Sequence, residues 1–176
     1  EALGEARDIA VDKTGTITKN ELVIRKILAG GRTYDIEGIG YDVVPQITNP
    51  SADLSLAGRI AALCSNAHLA FSKSENRAVV VGDPTEGAMT VFAEKLGIQK
   101  ENLLKESPLS NDWPFDYTKK IRCSLSLKDG APFFSLTGAP ETVLELSGAI
   151  LKNGASHPLN SSERKELEAT FLRWSA

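Results

Sequence analysis

Three dipeptides, Gly30-Gly31, Asp129-Gly130 and Asn153-Gly154, constrain the fold of this chain more than any other feature. Each lies between two short segments with strand-forming residues. Each can supply the positive φ that a tight hairpin turn demands. The first joins a β-like run over 22–29 to a returning segment over 32–36. The second joins strands over 121–127 and 133–137, with Trp113 to Phe115 leading into the first of them. The third joins 150–152 to a segment near His157. Helices fill the spaces between. One is predicted over 54–69, with Asp53 as N-cap and Leu56, Ile60, Leu63 and Ala67 in one stripe. Another spans 85–96 and ends at Gly97 as its C-cap. A short one covers 140–146, and a last one, capped by Ser161 or Ser162, runs to 174. A short apolar strand over 78–81 is broken by Gly82-Asp83-Pro84. Residues 37–51, with Gly38, Gly40, Pro45 and Pro50, read as a loop. Hairpins clustered with separate helices predict an α+β domain, an antiparallel sheet with helices packed on it.

The length of 176 residues suits one ordinary domain, or one domain plus a fragment. Apolar residues make up 41%, enough for a core, and the net charge is −3 without a basic run, which argues against a nucleic-acid partner. Cys64 and Cys123 form no CxxC pair, so zinc is not expected and a reducing cytosolic setting fits. No apolar stretch approaches the roughly 20 residues of a membrane span. No signal peptide is visible at the start.

Residues Asp12-Lys13-Thr14-Gly15-Thr16-Ile17-Thr18 follow the apolar run Ile9-Ala10-Val11, read as a short buried strand. A carboxylate at the end of such a strand sits where α/β folds place ligands. Gly15 lets backbone approach a phosphate, while Lys13, Thr14 and Thr16 add positive charge and hydroxyl donors. Such an aspartate can split a difficult hydrolysis into two steps by attacking phosphorus. The stretch resembles the phosphorylation motif of P-type ATPases, in which the aspartate accepts the γ-phosphate of ATP.

Other segments resemble the same family, in the family's order. Gly82-Asp83-Pro84-Thr85-Glu86-Gly87-Ala88 is similar to its GDPTEGA segment, and the resemblance places Glu86 beside the adenine amino group. Thr85 and Glu86 also suit the start of a helix on charge alone. Pro114-Phe115-Asp116 with Lys119-Lys120 resembles the second nucleotide segment. There Phe115 would stack on adenine and Lys120 would lie near base and phosphates; Lys119 reads as solvated, and Arg122 is assigned no role. A lone Phe is more commonly a core residue. Gly138-Ala139-Pro140-Glu141 matches the KGAPE segment with one departure, Thr137 in place of the family lysine. ATP is then expected to be held more weakly, or by another cation, with Gly138 letting the nucleotide pack against backbone. Cys64-Ser65-Asn66 ends a helix, and Cys64 reads as a small buried residue.

The resemblance implies residues 1–18 as a fragment of the phosphorylation domain and 19–176 as the nucleotide-binding domain lacking its last strands. It implies an excised cytosolic piece of a membrane pump that couples ATP hydrolysis to cation transport. ATP is the implied ligand, with Mg2+ in the intact pump. The implied partners are the rest of the phosphorylation domain and the transmembrane domain of the same polypeptide. The TGD and GDGxND segments, whose acids hold Mg2+ in the family, do not occur, so no turnover is expected. Two alternatives stay open: a degenerate nucleotide or interaction domain, and a related soluble phosphatase. The phosphatase would need a second acid two residues after Asp12, where Thr14 stands.

Overall fold

The computed structural model describes residues 10–13, 17–38, 40–43, 47, 49–74 and 76–175. Ile9, Thr14, Gly15 and Thr16 lie outside them. Ala10 and Val11 are exposed and form no strand, which corrects the predicted buried strand at the two positions described. A strand needs a neighbour for its backbone groups, and none of the described strands pairs with them.

The first hairpin pairs β1 (Lys26–Ala29) with β2 (Arg32–Asp35) around Gly30-Gly31, as predicted, although β1 is shorter than the apolar run suggested. Helix α1 follows as Ala52–Leu63, and its cap differs from the expectation. Ser51, not Asp53, caps it, the Ser51 Oγ accepting the Leu54 amide at 3.2 Å. Asp53, within the first turn, accepts the Gly154 amide on both carboxylate oxygens, at 3.0 and 3.3 Å. The helix stops at Leu63 rather than Leu69, because His68 and Leu69 belong to β3 (His68–Ser72), which pairs antiparallel with β4 (Arg77–Val81).

Helix α2 (Pro84–Lys95) begins where proline fits best, at the first helical position. Gly97 follows its C-cap with φ +75°, the left-handed value a helix stop favours. The buried Lys95 ammonium donates to the Glu37 carbonyl at 2.6 Å, and burial lowers its pKa. Helix α3 (Lys100–Glu106), absent from the sequence reading, leads into β5 (Leu109–Asp116). The central sheet runs β5–β6–β7, with β6 (Ile121–Lys128) and β7 (Ala131–Gly138) joined at Asp129-Gly130. Pro114 lies on the edge strand β5, next to a register shift, where its missing N–H costs no internal pairing.

Helix α4 (Pro140–Leu146), the hairpin of β8 (Ala149–Lys152) and β9 (Ala155–Pro158), and α5 (Ser161–Ser175) complete the described chain. Asn160 caps α5, in place of Ser161 or Ser162. Its side chain accepts the Glu163 amide at 2.9 Å, and Glu163 accepts the Asn160 amide at 3.2 Å, a reciprocal capping box.

The described strands thus form several small antiparallel sheets with helices packed on them, an α+β arrangement rather than one sheet. Two apolar clusters meet on α1. Leu54 and Ala61 pack with Ile36, Phe92 and Leu96, against β1 and β2. Ala62 and Leu63 pack with Ala93 and Leu103, reaching Leu109 and Phe133 of the central sheet. Each large apolar side chain so buried stabilises by roughly 1.5–3 kcal/mol. Helix α1 therefore holds the central sheet against α2, and the start of α2 comes to lie beside β6.

Candidate functional site

Glu86 stands in the first turn of α2. Its position is set by Asp83, whose carboxylate accepts the amides of Thr85 and Glu86 at 2.8 and 3.1 Å. The Glu86 side chain is held from two sides. Oε2 accepts the Asn66 amide at 2.6 Å, just beyond the end of α1, and Oε1 accepts Arg122 Nη1 at 2.7 Å. Arg122 comes from β6 with a side chain only 4% exposed. Its Nη2 reaches both oxygens of Asp112 on β5, at 3.0 and 2.9 Å. Asn66 Nδ2 closes the ring by donating to Asp112 Oδ2 at 3.2 Å. Lys100, at the start of α3, donates to the Ser65 carbonyl. Burial lowers its pKa, and the nearby Arg122 adds to that, against Asp112 and Glu86.

Thr137 of β7 lies directly opposite Arg122 in the strand register. Its side chain shares a buried site with Cys64 and Ser124. Burial pushes the Cys64 thiol up, opposed by hydrogen bonds from Ser124 and Thr137. Gly138 pairs with Ile121. A Cβ there would collide with the Lys120 carbonyl and come within 2.8 Å of Ile121 Cγ2, so β6 itself requires the glycine. Lys120 adopts φ +54°, and its carbonyl accepts the Ala139 amide at 2.9 Å. Its exposed ammonium lies 3.6 Å from Glu141. Glu86, Lys120, Thr137 and Gly138 are thereby linked through neighbouring residues at the beginning of β6.

Phe115 belongs to a second neighbourhood. It is 41% exposed and meets Tyr117 edge-on, ring centroids 5.2 Å apart. With Trp113, Asp116, Cys123, Phe134 and the exposed Lys119, solvated as expected, it lines a cleft of about 580 Å³. Glu86, Lys120, Thr137 and Gly138 do not line this cleft. The central sheet stands between the two neighbourhoods, with Arg122 and Thr137 on one face and Cys123 and Phe134 on the other. Asp116 Oδ1 accepts the Thr118 and Lys119 amides at 2.8 and 3.0 Å, which hold its carboxyl below the usual value. Asp12 and Lys13 are exposed, and the Lys13 carbonyl accepts the Thr18 amide at 3.1 Å.

A family model described as "P-type ATPase, cytoplasmic domain N" matches residues 54–176. This chain belongs to the P-type ATPase family. Among its relatives is the calcium-transporting ATPase of Bacillus subtilis, 29% identical over 97% of this chain and 20% of the relative. The cation-transporting ATPase pma1 of Synechocystis is 30% identical over 96% of this chain and 19% of the relative. The human sodium/potassium-transporting ATPase subunit alpha-4 is 25% identical over 98% and 17%. The chain thus spans about a fifth of the length of the curated relatives it matches.

In this P-type ATPase N domain, the residues that sequence reasoning passed over are Asn66, Lys100, Asp112 and Arg122. A signal for Arg122 was present: a lone cation in a run of Ile, Cys, Ser and Leu needs a partner if that strand is buried. Asn66 was singled out only as part of the structural segment Cys64-Ser65-Asn66, and nothing local marked Asp112; the packing of α1 and β5 brings both to Arg122 and Glu86. Among the described residues no helix is long and apolar enough to cross a membrane. Nor is any group of three or more His, Cys, Asp and Glu among them placed to hold a metal ion.

Proposed function

We propose that this chain is the nucleotide-binding part of a P-type cation-transporting ATPase, lying on the cytoplasmic side of a membrane pump. ATP would be held with Glu86 at the adenine amine, Phe115 stacked on the base, Lys120 near the phosphates, and Thr137 and Gly138 along the floor. In the intact pump Asp12, flanked by Lys13 and Thr14, would take the γ-phosphate as an aspartyl phosphate. Its partners would be the rest of the phosphorylation domain and the transmembrane domain. The observation that supports this reading is that Glu86 of the 82–88 segment meets Arg122 of β6 opposite Thr137, while Lys120 lies beside Glu141 of the 138–141 segment.

A carboxylate is acceptor-only and suits an exocyclic amine. Glu86 keeps acceptor capacity beyond the two bonds it makes in the protein. Mg2+ would accompany ATP in the intact pump; among the described residues no group of three or more His, Cys, Asp and Glu is placed to hold it. The chain alone is expected to bind ATP with a Kd on the order of 1 mM and not to turn it over.

Base–aromatic stacking contributes roughly 1–3 kcal/mol. Phe115→Ala should therefore weaken ATP binding about tenfold, read as amide shift changes in an NMR titration. Undiminished affinity would remove Phe115 from the site. The position of Phe115 in a cleft apart from Glu86 favours a second reading, in which the aromatic face docks a protein and the nucleotide site is degenerate. Absence of any ATP-dependent shift around Glu86 and Thr137 would select it.

A further inference from the structure

We infer that Arg122 is the positioning residue of the nucleotide site and carries there the positive charge that Thr137 does not. The inference rests on the nucleotide reading above and names the group that makes it chemically workable. Glu86 and Asp112 put two carboxylates side by side at the start of β6, a poor setting for a polyphosphate. Arg122 spans them both, and with Lys100 close by the group of four sums to neutral. Arg122 also fixes the geometry of Glu86. With Arg122 Nη1 on one oxygen and the Asn66 amide on the other, the carboxylate cannot rotate, and its remaining lone pairs point in set directions. Arg122 is thus argued to act on the base through Glu86. The planar fork of a guanidinium can hold two carboxylates at once, and a lysine ammonium cannot hold them in the same plane.

The register supplies the second line of argument. Arg122 and Thr137 are direct cross-strand partners, so their side chains share one face of the sheet. A cation at 137 would stand opposite a buried cation at 122, and like charges directly opposite are destabilising. The uncharged Thr137 and the charged Arg122 are therefore one coupled choice. The fork is committed to the two carboxylates through its Nη atoms, and its buried Nε makes no hydrogen bond among the described residues.

The test is calorimetric affinity for ATP and for inosine triphosphate, which lacks the exocyclic amine, on the 176-residue chain and four variants: Arg122→Lys, Thr137→Lys, Arg122→Met and the Arg122→Met, Thr137→Lys pair. The parent should prefer ATP by about tenfold, the worth of one good hydrogen bond. Arg122→Lys keeps the charge and loses the fork, so the preference should fall to about twofold or less while the protein stays folded. Thr137→Lys should weaken ATP binding in the parent, yet strengthen it in the Arg122→Met background, a reversal of sign that general destabilisation does not produce. An Arg122→Lys variant that keeps the parent's preference overturns the inference, as does tighter ATP binding by Thr137→Lys alone. If Arg122→Met does not fold, Arg122→Lys decides by itself. A parent that binds ATP with an undisturbed preference in Arg122→Lys sinks this inference alone. A parent that binds neither nucleotide sinks the nucleotide reading and this inference with it.

Discussion

On β6 the side chains of Arg122, Ser124 and Ser126 are buried, while Ile121, Cys123 and Leu125, which alternate with them, are only half-buried. The neighbouring strands repeat the division. Ser135 of β7 and Asp112 of β5 lie on the face of Ser124, and Phe134 and Trp113 lie with Leu125 and Cys123 on the other, 55% and 42% exposed. The polar face is turned toward α1, where Cys64 Sγ lies 3.8 Å from Ser124 Oγ. The apolar face is the one that carries the aromatic cleft. Hydrophobicity alone therefore does not decide which face is covered. Small hydroxyl side chains let a helix lie close to the sheet, and buried polar groups are tolerated where partners meet them. Arg122 is the extreme case, a full charge made acceptable by two carboxylates.

The sharpest way to break this comparison is to remove the charge from the polar face. Arg122→Met leaves Glu86 and Asp112 without their partner, and should destabilise by about 3–5 kcal/mol in urea denaturation. A loss below about 1 kcal/mol would mean that the ion pairs are surface-like in solution. A steric contrast comes next. Ser124→Leu overfills the gap under α1 and should cost about 1–3 kcal/mol. Phe134→Ser on the opposite face should cost less, about 1 kcal/mol or under. If Phe134→Ser proved the costlier of the two, the apolar face would be the more tightly packed one.

Asp53 tests the same rule away from the sheet. It is 8% exposed and is held by the Gly154 amide. Asp53→Ala removes the acceptor of the Gly154 amide and should cost about 1 kcal/mol, the net worth of an ordinary hydrogen bond, with faster hydrogen exchange at Gly154. Unchanged exchange there would show that β8 and β9 dock without it. The smallest effect is expected at Glu163, where similar bonds are made at the surface. Lys152 Nζ donates to it at 2.5 Å, and that bond, with the Asn160 amide, holds its carboxyl below the ordinary 4.5. A carboxyl with a depressed folded pKa stabilises fully above its unfolded value, and that contribution disappears as pH falls through the folded one. Amide signals at the start of α5 should thus fray below pH 4.5 in the parent and show no such pH step in Glu163→Gln.

Much of the fold was legible locally. The turn dipeptides at 30–31, 129–130 and 153–154 placed their hairpins, and Pro84 and Gly97 bracketed α2, because positive φ and proline's fixed φ are properties of single residues. The misplaced features were those on which neighbours vote. The apolar stripe through Ala67 was read as helix until β4 drew His68 and Leu69 into a strand. Asp53 had the chemistry of a cap and was used as a clamp on a turn 101 residues away in sequence. Helix α3 is short, and its sequence KENLLKE carries too little periodicity to be read alone.

The candidate site divides in the same way. Its members Glu86, Phe115, Lys120, Thr137 and Gly138 could be named from motifs, since short-range chemistry is written in consecutive letters. Their arrangement could not. Register put Thr137 opposite Arg122, and the alternation of β6 turned Arg122 inward to meet Glu86 and Asp112. The amino-acid sequence by itself determined the turns and the membership of the family. Tertiary structure alone decided which face of the central sheet is buried and which cation stands among the carboxylates. Both depend on residues tens of positions apart being brought within a few ångströms, where packing and desolvation, rather than local propensity, set the free energy.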